Sequence, residues 1–275
     1  MRLLTLRSVL VATDLEPGSE AVVRTAAQLA ELAGAELHLL HIASEPNPET
    51  ADDALREQLA RVAPRGMAAA SVRVMMGFPA RVIVEEAIRL RSDAVILGPH
   101  RGGSRKAGEL GSTAATVVRT APCPCLVVPA DLRLPLERVL VAIEVSMDHP
   151  GVPQATLGVA LSWASALRPP RGQARLTALH VTADPSNPAI RAAVRRELEM
   201  TRADGGEAAR VEILESIAAG DDTAAAILRE ADTATIDLLV IGTRGPAGVS
   251  TALGSVSTEV ARSTRCPLLL VPPGR

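Results

Sequence analysis

The chain repeats itself. "RSVLVATD" at 7–14 matches "ERVLVAIE" at 137–144, and "AELHLLHI" at 35–42 matches "ARLTALHV" at 174–181. Farther on, "SDAVILG" at 92–98 matches "IDLLVIG" at 236–242, and "CPCLVVP" at 123–129 matches "CPLLLVP" at 266–272. Matches kept in one order through both halves mean that one supersecondary plan is built twice, so a fold that suits the first half must also suit the second. The offset between partners is 130 residues at the first match, 139 at the second and 144 at the third, which puts insertions in the second copy after its first strand and around its second helix. At 275 residues, each half is long enough to bury a core of its own. The expected domains are 1–131 and 132–275, joined across "PADLRLPLE" at 129–137.

Within the first copy, short apolar runs fall at Val9 to Thr13, Leu37 to Ile42, Val72 to Met75, Ala94 to Leu97 and Leu126 to Val128. Without polar alternation, such runs fit strands covered on both faces, as in a parallel sheet between two layers of helices. The segment "SEAVVRTAAQLAELAG" at 19–34 has a Ser start, apolar spacing of three and four, and a Gly stop, so it reads as the first of those helices. Five βα units per copy result. One Phe, one Trp and no Tyr leave the cores to Ala, Val, Leu and Ile, and exclude a base-stacking platform. A net charge of -2 excludes the basic footprint of a nucleic-acid binder. Three cysteines are too few for a disulfide framework, and no apolar run reaches the roughly 18 residues of a membrane span. "MRLLTLRSVLVATD" is broken by Arg7 and Asp14 and lacks a small-residue cleavage site, so a cytoplasmic protein without a membrane partner is expected.

The stretch "GTRGPAGVSTALGS" at 242–255 sets four glycines directly after the strand-like "DLLVI". Glycines there either shape a strand-to-helix turn or let something approach the backbone closely. A bound phosphate asks for inward N–H groups backed by a helix N-terminus. Gly242 and Gly245 would admit that approach, while Gly254 and Ser255 would start the next helix, the hydroxyl serving as cap or phosphate donor.

Taken in order, the spacing of these glycines, the following "CPLLLVP", the acidic residue ending strand 1 and the aliphatic residue after the second-strand His resemble the universal stress protein family in its tandem form. The resemblance covers essentially the whole chain. It implies an α/β fold of two tandem doubly wound domains, each a five-stranded parallel sheet of order 3-2-1-4-5 flanked by helices. In such sheets ligands lie outside the carboxyl ends of the strands where the order reverses. It implies a stress-response regulatory protein, not an enzyme, that binds ATP or a related adenine nucleotide, with Mg²⁺ as a candidate companion ion. The strand 5 edges would pair as an intramolecular pseudo-dimer, with a further homodimer open; protein partners are unspecified.

Carried across residue by residue, the first site comprises Ala12, Thr13, Asp14, Ile42, Gly98, Arg101, Gly111, Ser112 and Thr113. The second comprises Ala142, Ile143, Glu144, Val181, Gly242, Gly245, Gly254, Ser255 and Val256. Asp14 resembles the adenine contact of ATP-binding members, and it has a structural alternative: with Ser19 it can organise the turn into the first helix. Both copies depart from the family's Gly, two residues, Gly, nine residues, Gly-Ser/Thr. The first keeps the length but has Arg101 at the second Gly, where a guanidinium can clamp a phosphate or fill the pocket. The second keeps both early glycines but has only eight residues between Gly245 and Gly254, and Glu144 replaces the Asp. These departures sustain an alternative, a ligand-free scaffold acting through protein contacts. A third reading is slow ATP hydrolysis or self-phosphorylation, with Ser104, Ser250 and Thr251 as its loose candidates.

Cys123 and Cys125 form a C-x-C, but a zinc site wants about four ligands and no partner set lies nearby. Cys266 repeats Cys123 while Leu268 replaces Cys125, which favours apolar filler. His41 and His180 recur at the end of strand 2, with a structural role favoured over one at the crevice.

Overall fold

The computed structural model describes residues 5–43, 48–64, 69–98, 110–128, 132–145, 155–204, 211–243 and 253–273. The chain divides into two compact units, one of Leu6–Leu134 and one built from Pro135–Arg275. In the first, strands β1 (Ser8–Thr13), β2 (Glu36–Ala43), β3 (Ala70–Met76), β4 (Ala94–Leu97) and β5 (Cys125–Val127) alternate with helices α1 (Glu20–Ala33), α2 (Pro48–Val62), α3 (Pro79–Arg89) and α4 (Ser112–Thr120). In the second, β6 (Arg138–Ala142), β7 (Ala174–Thr182), β8 (Val211–Ala219), β9 (Leu238–Gly242) and β10 (Leu268–Val271) alternate with α5 (Ala155–Leu167), α6 (Pro188–Asp204), α7 (Thr223–Thr233) and α8 (Ser255–Ser263).

Each sheet has the expected order, β3-β2-β1-β4-β5 in the first unit and β8-β7-β6-β9-β10 in the second. The pairings within both are parallel. The apolar runs are the reason: Val9, Leu10 and Val11 of β1 and all of β4 are buried, as a strand with helices on both faces must be. The helix read at 19–34 runs over Glu20–Ala33. Gly34 closes it at φ 67, a left-handed position where an amino acid without Cβ carries no steric penalty, and the Ala35 amide returns to the Ala30 carbonyl at 2.8 Å. Its start differs from the expectation. A 3-10 turn, Pro17–Ser19, precedes it, and the Ser19 side chain does not cap the helix.

The repeat also carries a matched pair of aspartates at the amino ends of the sheets. Asp93 Oδ2 accepts from the Arg7 and Ser8 amides at 2.7 and 3.0 Å, and Asp237 Oδ2 accepts from the Glu137 and Arg138 amides at 2.9 and 2.8 Å. Each carboxylate satisfies two backbone donors where strand 1 of its unit begins, and so ties that strand to the start of strand 4. With β1 fixed between β2 and β4, and β6 between β7 and β9, the carboxyl ends of strands 1 and 4 stand side by side in each unit.

Candidate functional site

In the first unit the chain leaves β1 through Thr13, Asp14 and Leu15. The Thr13 side chain is buried and its hydroxyl is held from three directions. It donates to Gln58 Oε1 of α2 at 3.0 Å, lies 2.8 Å from Ser19 Oγ, and accepts from the Leu15 amide at 3.1 Å. Gln58 Nε2 in turn donates to Ser19 Oγ at 3.1 Å, which closes a triangle of polar groups. The Thr13 carbonyl takes a hydrogen bond from His41 Nδ1 at 2.9 Å. A carbonyl can only accept, so the proton sits on Nδ1.

Leu15 stands at φ 64, an uncommon conformation for a residue with a Cβ. Asp14 lies between these two fixed residues. Its Oδ1 accepts from the Glu16 amide at 3.1 Å, an Asx turn, and its other oxygen meets no donor among the described residues. Asp14 therefore does shape the turn, but the contact expected between Asp14 and Ser19 belongs to Thr13. Ala12, one residue before the end of that strand, is half-buried, and Ile42 lies buried in β2.

The second unit repeats part of this. His180 Nδ1 donates to the Ile143 carbonyl at 3.2 Å, as His41 does to Thr13. In both units the recurring His thus anchors the peptide before the acidic residue, a structural role. Ile143 has no hydroxyl, so the polar triangle is a feature of the first unit. Ala142 and Val181 are half-buried at the ends of β6 and β7, and Glu144 is exposed.

The glycine stretches lead into helix N-termini. Gly111 and Gly254 are the N-cap residues of α4 and α8, with φ near -60 and ψ near 155 in both (φ -62, ψ 157; φ -59, ψ 154), and neither helix has a side-chain cap. The serines expected as caps, Ser112 and Ser255, occupy the first helical position instead and are exposed. Uncapped first-turn amides and the positive end of the helix dipole suit an anion. In the second unit the start of α8 is folded back on the end of β9: the Gly254 amide donates to the Thr243 carbonyl at 2.9 Å, and Ser257 Oγ donates to the Gly242 carbonyl at 2.7 Å. The matching residue in the first unit is Ala114. Gly98, Gly242, Thr113 and Val256 are half-buried around these starts. Arg101, Gly245, Ser104, Ser250 and Thr251 lie outside the described residues.

Cys123 and Cys125 are buried, and burial pushes the Cys123 thiol up to about 12 and the Cys125 thiol well above its ordinary range. Burial raises the Cys266 thiol as well, against the lowering effect of its contact with Thr264. Protonated thiols in an apolar setting fit filler, and among the described residues no three or more His, Cys, Asp or Glu are gathered to hold a metal ion. Among them, too, no helix is long and apolar enough to cross a membrane.

Comparison with known proteins resolves the family. The model of the universal stress protein family matches residues 5–129 and again residues 136–272. The chain belongs to the universal stress protein family. A universal stress protein of Thermus aquaticus, encoded in a sulfhydrylase 3' region, is 29% identical over 135 residues, which is 44% of this chain and 98% of that protein. The relative is therefore the size of one unit. Two-unit likenesses are found among solved structures. A universal stress protein from Archaeoglobus fulgidus DSM 4304 is 22% identical with a TM-score of 0.73, over 98% of this chain and 100% of that one. A functionally unknown protein from Pseudomonas aeruginosa PAO1 is 21% identical with a TM-score of 0.67, over 98% of this chain and 93% of that one. At these identities the structures speak for the tandem universal stress protein fold alone.

Proposed function

We propose that this tandem universal stress protein is a regulatory protein that binds an adenine nucleotide, ATP or a close relative, at the carboxyl ends of strands 1 and 4 of one or both units. The observation that carries this reading is the start of α4 and of α8, capped by glycine and without a side-chain cap, which in the second unit is folded back on the end of strand 4. Those amides suit the phosphates, with Mg²⁺ carried on the nucleotide. On strand 1, Asp14 keeps one oxygen free of the turn, and a carboxylate oxygen accepts from the exocyclic amine of adenine. The proposed contacts remain those carried over above, with Arg101 at a phosphate of the first site and Gly245 at the backbone approach of the second.

Binding, with or without slow turnover, is the proposed activity. The test is thermal unfolding of protein stripped of ligand. Millimolar ATP with Mg²⁺ is expected to raise Tm, since a ligand at 100 times its Kd adds about 2.7 kcal/mol to the folded state. An unmoved Tm, together with no nucleotide released on denaturing protein taken from cells, sinks the proposal. The second reading, a ligand-free scaffold, is favoured in the second unit by Ile143, Glu144 and the shortened glycine loop, and predicts that outcome.

A further inference from the structure

The polar triangle beneath the exit of β1 has a partner that lies outside the family's glycine and strand-1 pattern. We propose that Gln58 is a positioning residue for adenine recognition in the first unit. The inference rests on the nucleotide reading and names how its first site is held. Gln58 comes from the C-terminal half of α2, is 2% exposed, and meets no ionic partner among the described residues. Its amide oxygen accepts a hydrogen bond from the Thr13 hydroxyl and its amide nitrogen donates to Ser19, so both ends of the side chain are committed to the strand-1 exit.

The consequence runs along the chain. With Thr13 Oγ1 fixed by Gln58, its lone pair faces the Leu15 amide and holds that residue left-handed. His41 holds the Thr13 carbonyl from the other side. Asp14 is thus clamped at both neighbouring peptides, and its aim is set by a helix whose contact residue is 45 positions away. Because Thr13 Oγ1 is fully engaged inside the protein, recognition at strand 1 falls to Asp14 and to backbone. In the second unit α6 places Glu197 at the matching buried position, and Ile143 offers no hydroxyl, so the device distinguishes the two sites.

The experiment uses the full chain and its Gln58→Leu variant. ATP or tripolyphosphate is titrated in, and occupancy of the first unit is read by hydrogen–deuterium exchange of the peptide covering 110–120, which responds to phosphates in either ligand. Gln58→Leu is expected to raise the ATP midpoint about tenfold, the upper end of one hydrogen bond's net contribution, and to leave the tripolyphosphate midpoint in place. It should also speed exchange of the Leu15 amide. Equal shifts for both ligands would mean general loosening, and no shift would mean no role; either overturns the proposal. A wild-type chain that ATP does not protect brings down the nucleotide reading itself, an outcome distinct from protection that Gln58→Leu leaves untouched. If Gln58→Leu fails to fold, Ser19→Ala removes the acceptor of Gln58 Nε2 and the Ser19 contact of Thr13 Oγ1, breaking two sides of the triangle, and is expected to give the same split between ligands.

Discussion

In the proposed first site, base selectivity is assigned to Asp14. Adenine presents an amine donor where guanine presents a carbonyl acceptor, so a carboxylate oxygen attracts the first and repels the second. Asp14→Ala is expected to weaken ATP binding by about tenfold and to bring the affinities for ATP and GTP together, as measured by calorimetry. Equal selectivity in variant and wild type would remove Asp14 from the base site. Asp93 and Asp237 make the opposite kind of contribution. Each satisfies two strand-1 amides, so Asp237→Ala is expected to cost about 1–2 kcal/mol in urea unfolding without altering nucleotide affinity. Asp14 was singled out from the family resemblance at the end of the first matched segment, and its Asx turn is what the structure adds. The role of the two "D" positions at 93 and 237 was not legible, although both copies show them, because their acceptors' partners lie 86 and about 100 residues back.

Among the elements, α4 and α8 are short helices of 9 residues that begin on glycine. A carboxylate at the N-cap would bond the first-turn amides and complement the dipole, so Gly254→Asp is expected to raise the Tm of ligand-free protein slightly. The same charge occupies the place proposed for phosphate, and the part of the ATP-induced Tm rise due to the second unit should vanish. A variant that gains stability and keeps the full ATP response would move the phosphates elsewhere.

The segment entering β5 carries a pH signature. The buried Cys123 thiol titrates at about 12 against 9.0 in an unfolded chain, so between those values the folded form binds the proton that the unfolded form has released. Its contribution to stability is complete below pH 9 and is lost as pH climbs through that window. Cys123→Val is expected to flatten the fall of stability measured by urea unfolding from pH 8.5 to 10.5, roughly the accessible part of the window. Spacing and the repeat already favoured filler over a metal site at the C-x-C, and both thiols are buried.

At the scale of the molecule, the doubling of the universal stress protein unit sets the behaviour to be tested. We propose 1–131 and 132–275 as the folding domains, and expect each, expressed alone, to unfold cooperatively in urea with far-UV circular dichroism as the probe. A fragment that stays unfolded would show that its core depends on the other half.

The strands, the two copies and the positions of the glycine stretches could be read from the chain because each leaves a local or repeated trace: unbroken apolar runs, a Gly stop at 34, and matched segments at fixed order; the strand order came only with the family resemblance. The contacts of Gln58 with Thr13, His41 with the Thr13 carbonyl and Asp93 with the start of β1 were not legible: His41 and Asp93 recur in the second copy, but nothing local marks their partners. Each is one or two hydrogen bonds between residues 45, 28 and about 86 positions apart, imposed by packing rather than by periodicity. Folding brought those groups together, and with them the difference between a first strand-1 exit clamped through a hydroxyl and a second that ends in Ile143.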